Sequence, residues 1–206
     1  MKNVLLLALV FQPLIVQAQI LRYGMTFGIL PNTATSESHY FTHAETPLGF
    51  SSRTTYAVGV VALLHLRDEV LINSAAKFTS KSVSTHRVGE ADGPVFMTLM
   101  FNYLSLVSKV QYRLLNGLII GAGPVLDVNL NSRLEATGDF PAIQKPIPET
   151  KKIRFGVIVS IGYLIDLGIV LAVLPELSYD VGLSNTNDAY GGRYSSIEFS
   201  ISFLLR

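Results

Sequence analysis

Histidines and carboxylates are the side chains from which many catalytic and metal sites are assembled, and Glu37, His39, His43 and Glu45 stand together in one polar stretch. These are ligand types that a zinc site uses. Nothing periodic fixes their spacing, so a solvated loop is the better reading and no metal is expected. His86 and Asp92 lie with serines nearby, which could serve a nucleophile and its base. No nucleophile-elbow motif accompanies them, so no catalytic residue is assigned and the chain is not expected to be an enzyme. Gly121-Ala122-Gly123 matches the start of a dinucleotide fingerprint, but Leu126 holds the third glycine position and no helix follows. Glycines making room in a sheet wall explain it better, and no cofactor is expected. The chain has no cysteine, which removes thiolate sites, disulfides and lipid-modified cysteine.

What remains is a scatter of single charges in apolar surroundings: Arg22, Lys77, Lys109, Asp127, Arg154, Glu176 and Glu198. Their meaning depends on the strands that carry them. Ile197, Phe199, Ile201, Phe203 and Leu205 alternate with Ser196, Glu198, Ser200 and Ser202. Alternation with period two marks a β-strand with one apolar and one polar face. Seven more such stretches precede it. The first, 20–30, sets Leu21, Tyr23, Met25, Phe27 and Ile29 against Arg22, and Pro31 is expected to end it. The second, 54–66, puts Tyr56, Val58, Val60, Ala62 and Leu64 opposite a small or polar face with His65. The third, 70–84, turns Val70, Ile72 and Phe78 outward and Asn73, Lys77, Thr79 and Lys81 inward.

The fourth, 96–112, alternates well only in its second half, around Lys109. Asn116-Gly117 is a strong hairpin signal. The fifth, 118–134, opposes Leu118 through Leu130 to Asp127, Asn129, Asn131 and Arg133, with a bulge or ladder gap expected at Pro124. The sixth, 152–165, carries Arg154 inward, and the seventh, 169–183, carries Glu176 and Asp180 inward. Connections alternate long and short, with loops near 31–52, 82–94, 135–151 and 184–193.

Eight strands with no amphipathic helix to cover them predict an all-β, eight-stranded antiparallel transmembrane β-barrel of outer-membrane type. Short turns would face the periplasm and longer loops the outside. A soluble carrier would keep its charges outside. Here the charges fall on the face with Gly and Ser, while the other face is nearly charge-free. The charges then form a structural network inside a lumen only wide enough for its own side chains, with no porin-sized pore. The chain has no Trp, so aromatic girdles must come from Tyr and Phe.

Composition agrees. The 206 residues are 49% hydrophobic and 15% charged, with mean hydropathy +0.40, yet no run after residue 20 is long enough for a transmembrane helix. A net charge of +1 argues against a nucleic-acid partner, which needs a concentrated basic surface. Residues 1–18 read as a signal peptide: Lys2, an apolar stretch from Val4 to Phe11, then Val16-Gln17-Ala18 as the cleavage site. The barrel domain is therefore 19–206, exported by a Sec-type route to the outer membrane.

Two runs carry a family resemblance. Tyr103-Leu104-Ser105-Leu106-Val107 followed by Asn116-Gly117-Leu118-Ile119-Ile120-Gly121-Ala122-Gly123-Pro124 resembles the "YLEIP … NGxYxGAGP" run of the PorT-like outer-membrane β-barrel family of Bacteroidota. Further on, Phe155-Gly156 through Gly162-Tyr163 and Glu176-Leu177-Ser178-Tyr179-Asp180-Val181-Gly182-Leu183-Ser184-Asn185 is similar to that family's "ELRYSYGLTN" stretch. Ser105 stands where the family has Glu, and Val107 where it has Pro. The resemblance implies an outer-membrane barrel of a Bacteroidota-type cell and a link, through the member that gives the family its name, to type IX secretion. Most members have no assigned activity. The expected partners are outer-membrane lipid, the outer-membrane assembly machinery and, through the resemblance, secretion-system proteins; no nucleic acid is expected. A structural or interaction role is expected, with an accessory part in secretion, a narrow ion channel and a rim-located lipid-modifying enzyme as alternatives.

Overall fold

The computed structural model describes residues 20–35, 49–89, 93–114, 117–137, 143–147, 150–168, 170–186 and 193–206. The signal-peptide segment, the stretch with Glu37, His39, His43 and Glu45, Asp92 and Asn116 lie outside those residues. Every regular element described is a strand. They are β1 (Ile20–Thr35), β2 (Gly49–His65), β3 (Val70–Gly89), β4 (Gly93–Arg113), β5 (Leu118–Thr137), β6 (Ile143–Pro146), β7 (Ile153–Tyr163), β8 (Ile165–Asp166), β9 (Leu171–Gly182) and β10 (Arg193–Leu205).

Sequential neighbours pair antiparallel, and β10 returns to pair with β1, so the sheet closes on itself. Eight strands make the wall. The short β6 lies on β5 off that path. The other short one, β8, continues β7: Gly162–Glu176 and Ile165–Val173 share one register, and the gap falls beside Pro175, which has no N–H to give.

The partners can be followed round the wall from Leu21 through Leu64, Ile72, Val110, Ala122, Val159 and Tyr179 to Ile197. Ile197 sits opposite Pro31, a stagger of ten residues along β1 (21 to 31). A stagger of this kind tilts the strands and fixes the barrel's width, which for eight strands is just filled by side chains.

The polarity is inverted relative to a soluble domain. Phe27, Val60, Val110, Val159, Leu177 and Phe199 leave 46–62% of their surface outside. Lys77, Lys81, Lys109, Asp127, Arg154, Glu176, Asp180 and Glu198 are buried inside. An apolar exterior on this scale needs lipid rather than water.

Several sequence expectations are corrected. β1 does not end at Pro31 but runs to Thr35; Pro31 stays in register with Thr54 of β2, and its missing donor falls where the ladder to β10 skips. The second strand begins at Gly49 and the third reaches Gly89, so the expected loops 31–52 and 82–94 are shorter. His86 thus lies in a strand, opposite Gly49 and Phe96.

Pro124 does interrupt the β4–β5 ladder, with no change of register: Val107–Val125 and Val110–Ala122 bracket the gap. The bulge sits higher, between Asn102 and Tyr103 on β4, where β5 carries one extra residue. One extra residue reverses the faces beyond it. Asn131 is exposed, Arg133 turns away from the lumen, and Leu134 packs inward instead.

Gly117 closes the β4–β5 turn at φ 89°, a left-handed conformation that side chains resist. A Cβ there would also stand 2.8 Å from the Leu164 carbonyl oxygen. Gly117→Ala is expected to destabilise the barrel by about 1–3 kcal/mol, read as a lowered urea midpoint.

Candidate functional site: the charged interior

Period two places every interior charge on the same side of its strand, and the stagger decides which of them meet. Three groups result. Lys109 on β4 pairs with Glu176 on β9, whose other oxygen accepts from Gln111 Nε2 at 2.7 Å. Lys77 on β3 donates to both oxygens of Glu198 on β10, at 2.8 and 2.6 Å. The third is a quartet. Lys81 Nζ reaches Asp127 at 3.0 Å and Asp180 at 2.5 Å, and Arg154 pairs with the same two carboxylates. Arg154 Nη2 also donates to the Tyr194 carbonyl at 2.7 Å.

Four cations thus face four carboxylates, and each charge is met by its opposite. That matters because an unpaired ion in a dry interior costs several kcal/mol. Glycines make the room. A Cβ on Gly28 would stand 2.8 Å from Glu198 Oε1, and one on Gly182 would stand 2.8 Å from Arg154 Nη2.

Among the described residues, apolar clusters pack in the lumen on both sides of these charges. Towards the short turns, Leu63, Leu71, Ile119, Leu164, Leu174 and Leu204 fill it. Towards the long connections, Phe101, Tyr103, Ile147 and Tyr194 pack together, with the Phe101 and Tyr194 rings 5.2 Å apart. The void left between the quartet and the Lys77–Glu198 pair is ≈ 10 Å³, no more than the roughly 10–15 Å³ that one water needs. The quartet and the Lys77–Glu198 pair therefore stand packed against one another.

Of the seven residues assigned to an interior network, six lie in these groups. Arg22 does not. It sits near the turn-side end of β1 and pairs with Asp166 on β8, whose side chain is half exposed, although β9 and β10 stand between the two strands in the wall. Lys81 and Asp180 were expected to face inward but were not assigned to the network, and they complete the quartet. The apolar fillers were missed. Their signal was available: Leu63, Leu71, Ile119, Leu174 and Leu204 all stand on the inward face near strand ends. His65 is also inward, with Nε2 3.2 Å from Arg113 Nη2.

No protein-family model matches the sequence, and no curated protein matches it. Solved structures similar to it include three small barrels. Neisserial surface protein A is 10% identical with TM-score 0.47, covering 88% of this chain and 95% of that one. OprG from Pseudomonas aeruginosa is 10% identical with TM-score 0.48, covering 90% and 94%. Ail, the attachment invasion locus protein of Yersinia pestis, is 6% identical with TM-score 0.43, covering 89% and 97%.

Proposed function

We propose that this chain is an outer-membrane β-barrel with a closed interior, acting as a structural or interaction protein through its outer surface and the strand ends that carry its longer connections. The observation that carries this reading is the inverted polarity: paired charges and apolar clusters inside, and an apolar belt outside. On this reading the chain is neither an enzyme nor a porin, and its interior network serves stability. Export follows a Sec-type signal peptide cut after Ala18.

The test has two parts. Unboiled protein in detergent should migrate differently on a gel from boiled protein, as a barrel that resists unfolding does. In a planar bilayer it should produce no conductance steps, since a lumen filled at both ends leaves no continuous water column. Discrete channel openings would refute the closed interior. Identical mobility together with solubility without detergent would refute the barrel in a membrane.

A second reading rests on the resemblance of Tyr103–Val107 and Glu176–Asn185 to the PorT-like family. It makes the chain an accessory of a type IX-like secretion system in a Bacteroidota-type cell. Its test is a comparison of extracellular and periplasmic proteins in a strain lacking this chain. Cargo trapped in the periplasm supports it, and an unchanged secretome returns the role to the outer surface.

A further inference from the structure

The apolar belt does not have one height around the barrel. On β3 the outward residues are Val70, Ile72, Ser74, Ala76 and Phe78, with exposed Arg67, Asp68 and Glu69 directly below. That column is close to the ~9–11 residues a tilted strand needs to cross a bilayer. On β7, β8 and the turn beyond, Ile153, Phe155, Val157, Val159, Ile161, Tyr163, Ile165 and Leu167 all face out, each 38–57% exposed. This column runs from residue 153 to residue 167, roughly four residues longer than a crossing requires.

At its turn-side end this column runs on to Leu167, where the β2–β3 turn carries Asp68 instead. Tyr23, Tyr112 and Tyr163 stand at the turn-side ends of β1, β4 and β7, exposed at 59, 43 and 43%. Past Tyr163 the surface stays apolar, with Ile165, Leu167 and Val170 exposed at 39, 56 and 62%. The hairpin's one charged residue, Asp166, is tied back to Arg22, and Gly168 turns the chain at φ 96° with no side chain. The neighbouring β4–β5 turn adds exposed Leu114 and is joined to this hairpin by the Leu164 N–H bond to the Gly117 carbonyl, 2.9 Å. Diametrically across the wall, the β2–β3 turn presents charge instead.

We infer that the tip of the β7–β9 hairpin is a membrane anchor, with Leu167 and Val170 immersed among the lipids of the leaflet on the turn side while the β2–β3 turn stands in water. This rests on the membrane reading above. Lipid is the occupant because Ile165 and Leu167 continue, on the same outward face, the apolar column that the bilayer already covers, with Asp166 on the alternate side of the strand. Arg206, whose N–H donates to the Val170 carbonyl at 3.0 Å, has a side chain long enough to reach the headgroups. Each apolar side chain so immersed is removed from water at the ordinary hydrophobic gain, and the tip resists vertical movement of the barrel.

The chain has no Trp, so a single introduced Trp reports its own surroundings. The full chain would be made as Leu167→Trp, Asp68→Trp and Val159→Trp and reconstituted in phosphatidylcholine vesicles with brominated acyl chains, which quench on contact. Leu167→Trp is expected to emit at short wavelength and lose most of its fluorescence to bromine, and Asp68→Trp to emit as in water without quenching. Val159→Trp, at mid-belt, reports the membrane reading itself: an unquenched signal there would overturn that reading. With Val159→Trp quenched, a water-like Leu167→Trp overturns the anchor. A short-wavelength but unquenched Leu167→Trp also overturns it, in favour of a protein partner or a second copy. Val170→Trp repeats the measurement should Leu167→Trp fail to fold.

Discussion

Replacing Arg154 by Met is expected to cost about 3–5 kcal/mol, the usual penalty for breaking a buried ion pair from one side. Arg154 is 1% exposed and Asp127 is fully enclosed. Without the guanidinium, Lys81 alone must serve both Asp127 and Asp180, and one carboxylate is left largely uncompensated away from water. The Tyr194 carbonyl loses its donor as well. Urea unfolding of the protein refolded into vesicles, followed by gel mobility, measures the loss. Adding Asp180→Asn to Arg154→Met should recover much of it, because the double variant restores one cation facing one carboxylate. A single-variant loss below about 1 kcal/mol, the range of exposed pairs, would mean that the quartet is hydrated.

An arginine in place of Val159 is expected to cost about 2–4 kcal/mol in a bilayer, and at Ile153, near the end of the same strand, only about 0–1 kcal/mol. Both positions face outward and are about half exposed, 49% and 48%. In water two equally exposed substitutions on one strand would behave alike, so the gradient with depth isolates the contribution of lipid. The same urea titration reads it. Equal costs at the two positions would remove the bilayer from the account of this surface.

Much of the fold was legible in the chain because the side-chain period of a strand is local. Ile197 to Leu205 shows its two faces with no knowledge of its neighbours, and the same holds for 153–163 and 171–182. The first half of β4 was not legible, since Met97, Leu99, Met100 and Phe101 are apolar on both faces. There the barrel's upper filling draws Phe101 and Tyr103 inward. Asn131 and Arg133 were assigned to the wrong face for a different reason: a bulge is a relation between two strands, and nothing in β5 alone announces it. The strand ends were read too short because strand pairing continues past the apolar belt, where hydropathy no longer marks it.

By itself the sequence determined that this is a barrel of eight alternating strands, which side of each strand is polar, and that the charges fall inside. Those are consequences of a two-residue period and of the high cost of a charge against hydrocarbon. Only the tertiary structure decided which charge meets which. Lys77 finds Glu198, Lys109 finds Glu176, and Arg154 shares Asp127 and Asp180 with Lys81 because closure with a ten-residue stagger brings those positions to common levels. That stagger is a property of the whole ring. It also decided where the lumen is filled on the turn side, because residues scattered from Leu63 to Leu204 become one cluster only when the first strand pairs with the last.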